Sequence, residues 1–261
     1  HDNMVGQSQF NNSRGQFSVA YLKQLSGDKY RTSDQYLIAG GQAGMGQHRM
    51  NGSRLWFSEQ FDVSTGRPDF GASSGETGDV LDSQSTDLFM DFSAGLLWYA
   101  LFGDNASIYA GAALHHLNEP EISFFAFGEE TLYRRWTAHI GGEVPFSPEL
   151  SLLPAIAVIG QGPSRSTSVG ANIRYSNNDW YEVAIRAGVW THFARQGESD
   201  SHMDALTFTG ILEMENWNLG LSYDINTSNL NLATNSRGAF EMSLIYIYPY
   251  EGRTKVNCPK F

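Results

Sequence analysis

The chain has 261 residues, a net charge of -11 and a mean hydropathy of -0.33. The acidic balance argues against a general nucleic-acid partner, and a single cysteine, Cys258, allows neither an internal disulfide nor a thiolate metal cluster. No stretch supplies the roughly 18 to 20 apolar residues of a membrane helix: the longest apolar run, 150–160, is broken by Ser151 and Pro154. Membrane strands remain possible, because each needs only one apolar face. The 16 Phe, 12 Tyr, 6 Trp and 27 Gly suit them, with rings at the two interfaces and glycines where strands bend and pack.

Period-two alternation predicts eleven strands, at about 16–25, 36–50, 87–101, 106–117, 133–146, 150–160, 167–177, 181–194, 204–214, 217–226 and 237–248. In 87–101, Met90, Phe92, Ala94, Leu96 and Trp98 alternate with Asp91, Ser93 and Gly95. In 133–146, Trp136, Ala138, Ile140 and Val144 alternate with Arg135, Thr137, His139 and Glu143. The pattern continues with Val183, Ile185, Val189 and Phe193 against Glu182, Arg186 and His192. It recurs with Trp217, Leu221 and Tyr223 against Asn218 and Asp224, and with Phe240, Met242 and Leu244 against Glu241. The aromatic-rich faces are expected to meet lipid and the charged faces a polar interior.

The connections also alternate. Short turns fall at 103–105, 147–149, 177–179 and 215–216; longer ones fall at 51–86, 118–132, 195–203 and 227–236, with 161–167 the shortest of that set. Outer-membrane barrels share this asymmetry, with short periplasmic turns and long extracellular loops. The expected architecture is therefore an all-β, antiparallel transmembrane barrel forming one domain over 1–261, with a short periplasmic tail at 249–261. Counting back from a descending last strand, the first strand also descends. Single-chain bacterial barrels have even strand numbers, so N-terminal strands are expected beyond His1 and the intact barrel is expected to have 12 or 14.

Candidate chemistry is sparse. Charges of both signs on the predicted polar faces suit paired side chains filling an interior better than a catalytic lumen. His115 and His116 stand at a strand end, where strict alternation sends them to opposite faces, and no nucleophile-elbow motif accompanies them. Asp79, Asp82 and Asp87 could ligate calcium but lack EF-hand spacing, and suit a solvated acidic loop better. No catalytic, cofactor-binding or metal-binding residue is assigned, and the protein is not expected to be an enzyme.

Three stretches resemble the PorP/SprF family of type IX secretion outer-membrane proteins. They are Phe92-Ser93-Ala94-Gly95-Leu96-Leu97-Trp98-Tyr99 with the later His115-His116-Leu117-Asn118-Glu119-Pro120; Arg237-Gly238-Ala239-Phe240-Glu241-Met242-Ser243-Leu244; and the tail Lys255-Val256-Asn257-Cys258-Pro259-Lys260-Phe261. They are similar to the family's "GLLWY" and "HLNxP" pair, its "RGSFEISL" last strand and its "CPRF" ending. The resemblance implies an outer-membrane component of the type IX secretion and gliding machinery. Its implied partners are a surface adhesin with a C-terminal export domain, periplasmic lipoprotein or ring components, and membrane lipids. Expected partner-contact residues are Asn118, Glu119 and Pro120 outside the cell, and Cys258, Pro259 and Phe261 in the periplasmic tail. The alternative is a transport barrel for small solutes.

Overall fold

The computed structural model describes residues 2–3, 10–26, 33–50, 58–69, 71–72, 85–103, 106–124, 130–177, 183–195, 197, 201–228 and 238–248. Readings that rest on Asp79, Asp82, Glu182, Cys258, Pro259 and Phe261 lie outside these residues. Eleven long strands run in chain order: β1 Asn11–Ser26, β2 Ser33–Arg49, β3 Phe89–Phe102, β4 Ala106–His115, β5 Arg135–Pro145, β6 Leu150–Gln161, β7 Ser164–Tyr175, β8 Ala184–Arg195, β9 His202–Glu213, β10 Trp217–Asn226 and β11 Ala239–Tyr246. Each pairs antiparallel with the next, in one sheet that the segment Asp2–Asn3 extends beyond β1. Among the described residues no α-helix occurs, only the single 3-10 turn Ser58–Gln60. A short hairpin, Phe61–Asp62 with Arg67–Pro68, follows it in the β2–β3 connection.

All eleven predicted strands are present, with shifted ends. The first begins at Asn11 rather than near residue 16, because its pairing with β2 runs the whole way from Asn11↔Arg49 to Ser26↔Gln35. β4 stops at His115 rather than 117, because His116 takes a left-handed backbone conformation (φ 56°) that leaves the ladder. Connection lengths alternate in the main, with two departures: the turn between Gln161 and Ser164 is short on the long-loop side, and the connection from Tyr175 to Ala184, on the short-turn side, is longer than that from Arg195 to His202.

The pairing register makes the sheet two-faced. One column on the first face reads Gly142 with Ile108; others read Ile140–Ile156–Val169–Thr191–Leu206–Ile225 and Phe208–Tyr223–Phe240. The opposite face carries His139–Ala157–Ser168–His192–Ala205–Asn226, and Thr209–Ser222–Glu241. Trp98, Trp136, Trp217, Tyr223, Phe240 and Leu244 share the apolar face, and Glu143, Arg186, Asp224 and Glu241 the polar one, as the alternation predicts. Among the described residues no second layer covers the apolar face: Phe17, Leu96, Met242 and Leu244 are 73%, 58%, 67% and 62% exposed.

The sheet is not closed among the described residues: no pairing joins β1 to β11. β1 and β11 run in the same direction, so a ladder formed directly between them would be parallel. An antiparallel closure requires an odd number of intervening strands, and the two-residue segment Asp2–Asn3, antiparallel to β1, lies in that position.

Candidate functional site

The turn after β4 is built around three side chains. His116 Nδ1 lies 2.9 Å from both carboxylate oxygens of Asp91, and both residues are buried. Asn118 acts as a one-residue strand: its Nδ2 donates to the Met90 carbonyl (2.8 Å), and its Oδ1 accepts from the Phe92 amide (3.2 Å). The Leu117 amide donates to the Phe92 carbonyl (2.9 Å), completing the cap on the first residues of β3. Backbone donors and acceptors at a strand end need partners, and a carboxamide offers one of each. The left-handed conformations of His116 and Glu119 (φ 56° and 45°) produce the tight path, closed by Glu119 N–H to the His116 carbonyl at 3.0 Å. They also break the alternation, so the two histidines are not on opposite faces. His115 stays on the polar face while His116 folds back onto Asp91 of that face.

Beyond Pro120 the loop doubles back on itself, with Leu132 N–H donating to the Pro120 carbonyl (2.9 Å) and Ile122 N–H to that of Glu130 (2.9 Å). Glu119 meets Arg134 at 3.3 Å with both side chains well exposed. Such a pair contributes little stability, and it leaves charge of both signs at the surface of the turn. Of the predicted contact residues, Asn118 is thus committed to β3, and Glu119 is the one that presents a charge outward.

The polar face is filled elsewhere by an ion-pair network. Glu213 of β9 accepts from Arg174 Nε of β7 (2.9 Å) and from Arg186 Nη2 of β8, while Glu143 of β5 stands 3.9 Å from Arg174 Nη1. Two carboxylates and two guanidiniums offset one another, which makes burial tolerable. Arg174 reaches two strands away on either side, yet the sequence reading omitted it. It shares its parity with Ser168 and Asn172, so the same alternation could have found it. Above this network His192 bridges Ser168 (2.8 Å) and Thr207 (3.1 Å), and Thr209 donates to Asn172 (2.8 Å).

The β1–β4 quarter is different. Ala20, Gly40, Gly95 and Ala113 pair in one row across four strands. They floor an open hollow of about 400 Å³ with His115 and His139 on its wall. A smaller hollow of about 120 Å³, lined by Tyr99, Tyr109, Glu143 and Arg186, lies against the ion pairs. In the β2–β3 connection, the Ser64 hydroxyl and amide and the Thr65 hydroxyl hold the exposed Asp62 carboxyl below the ordinary aspartate range.

These features define a class: an all-β meander with one continuous apolar face and one polar, ion-paired face, capped at its loop end by a buried Asp–His pair. The chain belongs to the PorP/SprF family. The family model described as "Type IX secretion system membrane protein PorP/SprF" matches residues 3–246, nearly the whole chain. The protein is thus a type IX secretion membrane protein, from a family of secretion-system components rather than of enzymes. No curated protein matches the chain.

Proposed function

We propose that this protein is an outer-membrane barrel that anchors, or helps export, a surface adhesin carrying a type IX C-terminal export domain. The observation that carries the reading is the apolar face, eleven strands wide and, among the described residues, uncovered by any protein layer, in a chain whose family serves type IX secretion at a membrane. An exposed apolar surface of that extent marks contact with a membrane or a partner. A sheet with apolar residues outward and polar residues inward matches the lipid-exposed barrel pattern. The polar face becomes the interior, and the charged network of Glu143, Arg174, Arg186 and Glu213 fills one side of it.

In this arrangement the long connections face the cell exterior, and the turns and the tail 249–261 face the periplasm. The adhesin engages the outer loops or the interior near Asn118, Glu119 and Pro120, where the Glu119–Arg134 pair is exposed. Periplasmic lipoprotein or ring components meet the tail around Cys258, Pro259 and Phe261. Gentle solubilisation followed by mass spectrometry tests this: a large adhesin with an export domain should co-purify. Steady ion conduction in planar bilayers by a preparation that holds no polypeptide would replace the anchor with a transport barrel.

A further inference from the structure

Arg165 and Arg195 are direct cross-strand partners on β7 and β8. The register puts them on the apolar face, one step beyond the pair Thr167–Phe193, where that face reaches the loop end of the sheet. Both are exposed. Like charges in this position repel one another, and among the described residues no ion pair joins either guanidinium to a carboxylate. Arg165 instead lies over the Trp136 ring, 5.5 Å from its centroid. Trp136 in turn covers Gly160, its own partner and that of Arg165. A Cβ there would sit 2.5 Å from Trp136 Nε1, so glycine is what lets the ring lie flat under the arginine.

Two arginines paired on adjacent strands, one of them stacked on an aromatic platform, stand at the upper boundary of an apolar surface. The guanidinium fork matches phosphate oxygens in pairs, and stacking on an indole holds Arg165 with less freedom to lose. Directly below, Phe193 and Val169 continue the apolar face that an acyl chain would follow. We propose that Arg165, Arg195 and Trp136 form a binding site for the phosphate of a lipid headgroup, with the lipid's tail lying along the apolar face. The site rests on the reading that this face lies in a bilayer. A bound phosphate also removes the Arg165–Arg195 repulsion, so the lipid is expected to tighten the β7–β8 ladder at this end.

The test uses the full chain reconstituted in phosphatidylcholine nanodiscs doped with lipid A, with bound lipid A counted by native mass spectrometry. The R165Q/R195Q double variant should retain about tenfold less lipid A, the scale of one charge-assisted hydrogen bond. Each single variant should show a smaller loss and serves if the double variant does not fold. Arg14→Gln removes a cation from the polar face and should retain lipid A as the parent does. Equal retention by parent and double variant overturns the proposal. So does an equal loss in Arg14→Gln, which would mean non-specific charge attraction, or displacement by inorganic phosphate at matched concentration, which would mean a free-phosphate site. Failure of the parent to enter the nanodisc would instead count against the membrane placement itself.

Discussion

At the scale of single residues, the polar face depends most on Glu213, a charge that the alternation already places inward. It is the carboxylate shared by Arg174 and Arg186, and all three side chains are partly buried. Glu213→Ala leaves two guanidiniums without their common partner. Removing one member of such a cluster costs about 3 kcal/mol, read as a lowered midpoint in urea unfolding, and Glu213→Gln should recover part of it by keeping an acceptor. No change for Glu213→Ala would mean that water solvates both arginines. Asn118 makes a different case, since its contribution is a matched donor and acceptor rather than charge. Asn118→Ala should cost about 1–2 kcal/mol and speed hydrogen exchange at the Phe92 amide. Asn118→Asp should be no better than alanine, because a carboxylate oxygen would face the Met90 carbonyl. Full stability in the aspartate variant would show that the Met90 contact is dispensable.

At the scale of elements, what each strand requires is one apolar and one polar row, and the two rows tolerate opposite substitutions. Leu221 and Ser222 are neighbours on β10 and point to opposite faces, with Leu221 paired to Gly210 and Met242 and Ser222 to Thr209 and Glu241. If the apolar face meets lipid, Leu221→Arg should lose about 2–4 kcal/mol of folding free energy in bilayers. Ser222→Arg gains Glu241 as a neighbour and should fold close to the parent, checked by heat-dependent gel mobility. Equal folding of the two variants would reverse the assignment of faces. The edge strands have a separate requirement. β11 is exposed along its whole length and its outer edge has no partner among the described residues, and an edge of that kind invites another strand.

For the whole molecule, the proposed anchoring role divides the work between the two ends of the sheet. The loop end carries the Asn118–Pro120 turn and the arginine pair, and the turn end leads into the tail. Deleting residues 256–261 should therefore leave the circular dichroism strand-dominated while lowering adhesin retention at the cell surface, measured by surface labelling. Normal display after the deletion would remove the tail from the mechanism, and loss of strand signal would assign it to folding instead.

The alternation by itself determined the all-β class, the eleven strands and the face on which the side chains within each strand lie. That follows because the side-chain period of a strand is two and does not depend on which neighbour the strand pairs with. It was also enough to separate Glu143, Arg186 and Asp224 from Trp136, Trp217 and Tyr223. Only the tertiary structure decided which residues meet. The Glu143–Arg174–Glu213 chain spans strands far apart in sequence, and its members are brought together by register, which no single strand encodes. The Asn118 clamp was equally invisible, because a left-handed His116 ends β4 earlier than the hydrophobic pattern does and turns the following residues back onto β3. The juxtaposition of Arg165 with Arg195 belongs to the same kind: two exposed arginines thirty positions apart in sequence become neighbours only through the pairing of β7 with β8.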